Sequence, residues 1–124
     1  MRSLAVLIIA LVPAIGHADK VFKKTAGDTW DCENDPVVRI TGDSGTFGFL
    51  GPCKRITVRG NKNVLSIISV GKLVVGGKAN VAEIEEVDAI VVTGAGNQIT
   101  WKKPIKGDKP KITKSGRNRV EQKN

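Results

Sequence analysis

The chain has 124 residues, with 20 Lys or Arg against 12 Asp or Glu and a formal net charge of +8. This length suits one domain. One histidine and two cysteines provide too few ligands for a zinc site of these residue types. The composition therefore favours a small basic protein without a zinc centre.

Residues 1–18 have the composition of a secretory signal peptide. Arg2 provides the positive charge, an apolar run follows from Leu4 to Ile15, and small residues flank His17 at the cleavage site. The run is shorter than the roughly 20 residues of a membrane-spanning helix, although an uncleaved anchor is the alternative. We predict cleavage after Ala18, export to the periplasm or the extracellular space, and no transmembrane segment in the mature chain. Cleavage also removes the only histidine.

A polar lead-in at residues 19–31 precedes a repeat region at residues 32–103. The lead-in shows no clean hydrophobic period. Stacked repeats need a cap, because an uncapped end exposes unpaired strand edges. We predict that Trp30 covers this first end.

The repeat is clearest in Cys53–Ser69, Val70–Glu86 and Val87–Lys103, which align without gaps at a 17-residue period. Each unit reads apolar-x-apolar-x-Gly-x-x-Asn-x-apolar-x-apolar, which indicates two short strands joined by a glycine turn. Such units are too small to fold alone and must stack. We predict an all-β fold, a short parallel β-solenoid (β-helix-like) of about four coils of 17–18 residues, with a sandwich of hairpins as the alternative.

Two polar columns of the repeat have structural interpretations. The glycine column suits a positive φ at each turn. Asparagines of stacked strands, about 4.7–4.9 Å apart, either hydrogen-bond from coil to coil or are exposed turn residues. The asparagines are in phase with the inward apolar positions after them, which favours a buried ladder. The columns consist of Gly60, Gly77 and Gly94, and of Asn63, Asn80 and Asn97.

Residues 32–50 are a diverged first coil. Val38-x-Ile40-x-Gly42 repeats the first strand and its glycine 18 residues before the next coil. Cys32 opens this coil as Cys53 opens the next, and stacked corners about 5 Å apart fall within the disulfide range. We predict a Cys32–Cys53 disulfide formed in an oxidising compartment. A reactive pair or half a metal site are the alternatives, but no other cysteine completes them.

The pattern Cys…Val-x-Ile-x-Gly…Gly-Pro-Cys…Ile-x-Val-x-Gly-Asn-Lys-Asn-Val, followed by further Val-x-Gly-x-x-Asn units, resembles the bacterial domain-of-unknown-function 3060 family. The resemblance covers about Trp30 to Trp101. It implies a small exported protein with repeated V-x-G-x-x-N units, and it implies no catalytic residues. Gly45 replaces the asparagine in the first coil, so an asparagine ladder would start one coil late.

Charges at the outward positions of the repeats are in register. Glu85 precedes Lys102 by one period, and Glu86 precedes Lys103, so neighbouring coils would place each pair side by side. We predict salt bridges between coils. The alternative is a calcium or substrate site formed by Glu83, Glu85, Glu86 and Asp88. It is less favoured, because calcium-binding β-roll repeats carry an aspartate in each unit.

Residues 102–124 contain nine Lys or Arg against two acidic residues, whereas residues 19–101 contain ten of each. Two interpretations of the segment at 104–124 remain open: a basic cap, because Ser115–Val120 faintly repeats Thr93–Ile99, or a disordered tail. A basic segment of an exported protein is attracted to anionic envelope polymer or lipid. The candidate binding residues are Lys102, Lys103, Lys106, Lys109, Lys111, Lys114, Arg117 and Arg119.

An alternative function is a structural or protein-interaction solenoid. Its terminal lysines would only block stacking of one copy on another, a known use of edge lysines. A flat sheet face would then meet an unidentified protein.

No enzymatic activity, cofactor or metal is predicted. A mature chain without histidine has no Ser-His-Asp triad, and a glycosidase needs two facing carboxylates rather than carboxylates opposite lysines. Nucleic acid is not favoured as a partner, because no aromatic residues alternate with the basic ones. Trp101 is predicted to close the end of the core rather than to stack on a sugar.

Overall fold

The structure, a computed structural model, describes residues 20–22 and 28–123, so the predicted signal peptide at residues 1–18 lies outside it. The described residues form strands β1 (Lys20–Phe22), β2 (Asp28–Asp31), β3 (Val37–Ile40), β4 (Thr46–Val58), β5 (Val64–Val75), β6 (Val81–Val92), β7 (Ala95–Pro104), β8 (Lys111–Lys114) and β9 (Arg117–Gln122). Within this part of the chain, no helix is long and apolar enough to cross a membrane.

The strands pair in parallel in the order β1-β3-β4-β5-β6-β7-β9, with β2 on β4 and β8 on β6. Cys53 pairs with Val70 and Val70 with Val87, which is the register of the gapless 17-residue alignment. The prediction of an all-β parallel solenoid is confirmed. We number its coils one to five by their turns, at residues 42–45, 60–63, 77–80, 94–97 and 116–118.

The solenoid has about five turns rather than the predicted four. The additional turn is made by β8 and β9, which pair with β6 and β7. This turn does not follow the 17-residue period, because Gly116 follows Gly94 by 22 residues. In addition, Lys114 occupies a position that is inward and apolar in the other coils. The basic C-terminal segment is therefore part of the fold.

A column of buried side chains runs through the coils. In β5 the buried positions are Leu65, Ile67, Val70, Leu73 and Val75, each at most 1% exposed. Their spacing changes from two residues to three on either side of Val70, so the strand bends there and its second arm faces the same interior. Apolar residues at the paired positions of neighbouring coils stack into one core.

Aromatic residues cover the N-terminal end of this core. Phe22 and Trp30 are partly buried against it, and the Phe22 ring centroid lies 5.0 Å from that of Phe47. The Trp30 indole Nε1–H donates to the Asp35 carbonyl at 3.2 Å. Trp30 thus covers the N-terminal end of the solenoid, as predicted from the sequence.

The predicted disulfide is present. Cys32 and Cys53 are bonded, with their Cα atoms 5.0 Å apart and both side chains buried. The bond joins the start of coil one to the start of coil two. Because disulfides persist mainly in oxidising compartments, it indicates a non-cytoplasmic location.

The asparagines form a buried ladder between coils. The Asn80 Oδ1 accepts hydrogen bonds from the Asn63 backbone N–H at 2.9 Å and from the Asn63 side-chain Nδ2 at 3.2 Å. The Asn80 Nδ2 in turn donates to the Asn97 Oδ1 and to the Gly60 carbonyl, both at 3.0 Å. Each amide in the interior of the ladder therefore has partners in the coils on both sides.

The ladder extends beyond the three predicted asparagines. At its start, the Gly45 backbone N–H donates to the Asn63 Oδ1 at 2.9 Å, so the coil that lacks the asparagine still contributes a donor. At its end, the Asn97 Nδ2 donates to the Asn118 Oδ1 at 2.8 Å. Asn118 is the asparagine of coil five, and it links the basic segment to the repeat.

The predicted positive φ of the glycine column is wrong for Gly60 and Gly77, which are not among the residues with positive φ; Gly94 has it, at 79°. The left-handed conformation instead falls on the residue directly before the ladder position, as at Lys62 and Ala79. Gly60 and Gly77 are needed for space. A Cβ on Gly60 would overlap the Gly42 carbonyl oxygen, and a Cβ on Gly77 would overlap that of Gly60.

Removing one ladder amide should destabilise the solenoid strongly. Asn80→Ala leaves the Asn63 donors and the Gly60 carbonyl without this partner, and a buried unsatisfied group costs about 1–3 kcal/mol. We expect chemical denaturation to show a loss of about 2 kcal/mol or more. The control is Asn61→Ala, an exposed residue whose Oδ1 accepts one bond from the Lys78 N–H; it should lose about 1 kcal/mol or less. Equal losses would contradict a dominant buried ladder.

Removing the disulfide should also destabilise the domain. The double variant Cys32→Ser, Cys53→Ser loses the constraint on a 21-residue separation, and we expect its free energy of unfolding to fall by about 2–4 kcal/mol. A reducing agent should lower the denaturation midpoint of the natural protein and leave that of the double variant unchanged. Coinciding denaturation curves for natural protein and variant would show that the bond contributes nothing.

Candidate functional site

The basic residues of the C-terminal segment lie on an ordered coil. β8 pairs with the second arm of β6, and β9 pairs with β7. Val120 packs partly buried against the core, and the Lys123 N–H donates to the Trp101 carbonyl at 2.7 Å. Of the two interpretations, a disordered tail is therefore wrong, and the cap is a further coil of the solenoid.

Four of the eight candidate binding residues are in salt bridges. Lys102 Nζ lies 3.2 Å from Glu85 Oε2, and Lys103 Nζ lies 3.8 Å from Glu86 Oε2, as the register predicted. The other two bridges join Lys106 to Asp88 at 3.8 Å and Arg119 to Glu121 at 3.4 Å. These four cations already have an anion beside them.

The other four candidates are exposed and have no salt bridge within the described part of the chain. Lys109 precedes β8, Lys111 begins that strand and Lys114 ends it, and Arg117 begins β9. Ionised side chains that are not neutralised by a neighbour remain available to an external anion. The candidate site therefore reduces to these four residues on coil five.

Three acidic residues of β6 face lysines rather than one another. Glu85, Glu86 and Asp88 each belong to one of the salt bridges above. Among the described residues, no group of three or more His, Cys, Asp or Glu side chains is placed to hold a metal ion. The arrangement matches the predicted salt-bridged face.

Trp101 is buried, with 5% of its surface exposed. It pairs with Ile84 on one side and with Gln122 of coil five on the other, so it is the last residue of the buried hydrophobic core, as predicted, and coil five covers it. A ring covered on both sides is not available for stacking on a sugar.

A second group of cations was missed by the sequence analysis. Lys54, Arg55 and Lys72 surround an open depression of about 490 Å³ on the second arm of the strands, and Gly71 and Ala89 lie between them. The net charge of residues 19–101 is zero, so a sum over this segment gives no sign of a local cluster of cations. The signal that could have found it is that Arg55 and Lys72 occupy the same outward position one period apart.

The observations define a class: a disulfide-bonded parallel β-solenoid with a coil-to-coil asparagine ladder. Residues 68–118 match the model of a family described as protein of unknown function (DUF3060). The resemblance predicted from the repeats is thus confirmed, and the match reaches Asn118 of coil five. No curated protein and no solved structure matches the chain.

The salt bridge between Glu85 and Lys102 should contribute little to stability. Both side chains are about half exposed, and exposed pairs typically contribute about 0.2–1 kcal/mol. A double-mutant cycle with Glu85→Gln and Lys102→Gln should give a coupling free energy in this range that falls with added salt. The same cycle on Glu85 and Lys114, which is not paired with it, should give none. A salt-independent coupling well above 1 kcal/mol would contradict the solvent-exposed description.

Proposed function

We propose that this protein is an exported, non-enzymatic module that binds anionic envelope polymer or lipid through its basic C-terminal coil. The observation that carries the proposal is the set of four exposed, unbridged cations on coil five, in a segment with nine basic and two acidic residues. Cations near an anionic surface each contribute about 1 kcal/mol to binding. The four together are enough for reversible docking.

Export is supported by two independent features. The chain begins with a segment of signal-peptide composition, and the Cys32–Cys53 bond is of the kind that persists outside the cytosol. An exported basic module meets anionic polymers and anionic lipid head groups. No catalytic residue is proposed, because Glu85 and Glu86 lie in salt bridges with lysines, whereas a glycosidase needs two carboxylates that face each other.

A second candidate function is a protein-interaction solenoid in which terminal lysines prevent self-stacking. It is favoured by Lys114, which pairs with the buried Val92 and so occupies an inward position at the open end. A second copy stacked there would bury this charge, which is costly. Leu50, Val64 and Ile68 remain about half exposed and would contribute apolar surface for a protein partner.

The two functions can be separated by substituting charges rather than by deleting the segment. Deleting residues 102–124 would remove coil five, which packs Val120 on the core and pairs with Trp101. The test variant is Lys109→Gln, Lys114→Gln, Arg117→Gln. The matched control is Arg59→Gln, Lys62→Gln, Lys78→Gln, which removes three exposed charges from the turns of coils two and three.

The measurement is salt-dependent binding to phosphatidylglycerol vesicles and to lipopolysaccharide. We expect the coil-five variant to lose about 3 kcal/mol of binding free energy, at about 1 kcal/mol per cation, and the control to lose clearly less. Equal losses would show that binding follows net charge and not coil five. Absence of binding by the natural protein at low salt would refute the proposal and favour the protein-interaction function.

A further inference from the structure

A second cationic feature lies on the second arm of the strands, in coils that precede the C-terminal segment. Lys54, Arg55 and Lys72 surround the depression between Gly71 and Ala89, which we call the basic depression. None of the three cations has a salt bridge within the described residues. Its position on coils two and three places it before the segment that carries the proposed function.

Two cations of the basic depression repel each other. Arg55 and Lys72 are direct neighbours on adjacent parallel strands, and like charges in that position destabilise a sheet. Elsewhere the same register places Glu85 beside Lys102 and so neutralises both. The basic depression is thus a place where the stacked register produces repulsion, which a bound anion would relieve.

A cationic column runs past the depression and contains one small residue. By register, Arg55 pairs with Lys72, Lys72 with Ala89, and Ala89 with Lys111 of coil five. Neighbouring strands lie about 4.7–4.9 Å apart, so Lys72 and Lys111 flank the space above Ala89 from both sides. An acid group in that space would lie within reach of two ammonium groups, with the Arg55 guanidinium one strand further along the same column.

One carboxylate lies at the rim. Asp88 also lines the depression, but its Oδ2 is 3.8 Å from Lys106 Nζ and its charge is balanced there. The lining therefore keeps a net positive charge. A guanidinium favours planar carboxylate or sulfate groups, which it binds through two parallel hydrogen bonds.

We propose that the basic depression binds acid groups of a linear acidic polysaccharide lying along the solenoid axis. A chain in this direction meets successive cations of the column, which recur at the strand spacing. Bases of nucleic acid would need aromatic side chains to stack on, and the described residues that line the depression include none. The inference goes beyond the proposed function, because it adds Lys54, Arg55 and Lys72, which lie outside coil five, and shares only Lys111 with it.

The test uses polygalacturonate, a linear polysaccharide with a carboxylate on every sugar, and neutral dextran as the reference polymer. Ala89→Glu places a carboxylate beside Lys72 and Lys111 and fills the space without removing a cation. The matched control is Gln98→Glu, an exposed position on the other arm with the same change in net charge. Thermal unfolding followed by circular dichroism checks that both variants fold.

We expect calorimetric titration of the full mature chain to show polygalacturonate binding that Ala89→Glu weakens about tenfold or more, because the new carboxylate competes for the same charged hydrogen-bond donors. Gln98→Glu should stay close to the natural protein. Arg55→Gln with Lys72→Gln should reproduce the loss and retain binding to phosphatidylglycerol vesicles, because neither residue belongs to coil five. Equal weakening by both glutamate substitutions, or no binding of polygalacturonate by the natural protein, would overturn the inference. The proposed function is tested separately by the variant Lys109→Gln, Lys114→Gln, Arg117→Gln, which should lose vesicle binding and retain polygalacturonate binding.

Discussion

The close approach of consecutive coils at their glycine turns is the constraint on which the structure depends. A Cβ on Gly77 would overlap the carbonyl oxygen of Gly60, and that same carbonyl accepts a hydrogen bond from the Asn80 amide. A slip of one residue between coils would place a side chain against a backbone oxygen and leave buried amides unpaired, which is costly. Steric exclusion and hydrogen bonding therefore hold neighbouring coils in one register.

That register then determines what lies next to what on every other surface of the molecule. Inside, it stacks aliphatic residues on one another in a continuous core. Outside, it places each charged residue beside the residue one period away, whatever its sign. Glu85 beside Lys102 gives a neutral pair, whereas Arg55 beside Lys72 gives a repulsive one. One stacking register therefore produces attraction at one surface and repulsion at another, depending only on which residue types occupy the paired positions.

Features that repeat at the period could be predicted, and features that break it could not. The parallel solenoid and the asparagine ladder follow from positions one period apart, and the Cys32–Cys53 bond follows from equivalent corners of neighbouring coils, although these lie 21 residues apart. The role of Gly60 was misassigned, because a required glycine can reflect either its φ or its missing Cβ, and the pattern is the same for both. Coil five stayed one of two open interpretations, because its glycine is displaced by several residues and its inward positions include a lysine.

The sequence alone determined the fold class, the disulfide and the amount of excess positive charge, because these depend on residue types and on a short repeating distance along the chain. Only the tertiary structure decided which of those charges are available. Lys102 and Lys103 belong to the most basic segment yet are bridged, whereas Lys54 and Lys72 belong to a segment of zero net charge and are not. Electrostatic interactions depend on distances between side chains in space, and a sum of charges over a stretch of sequence does not contain those distances.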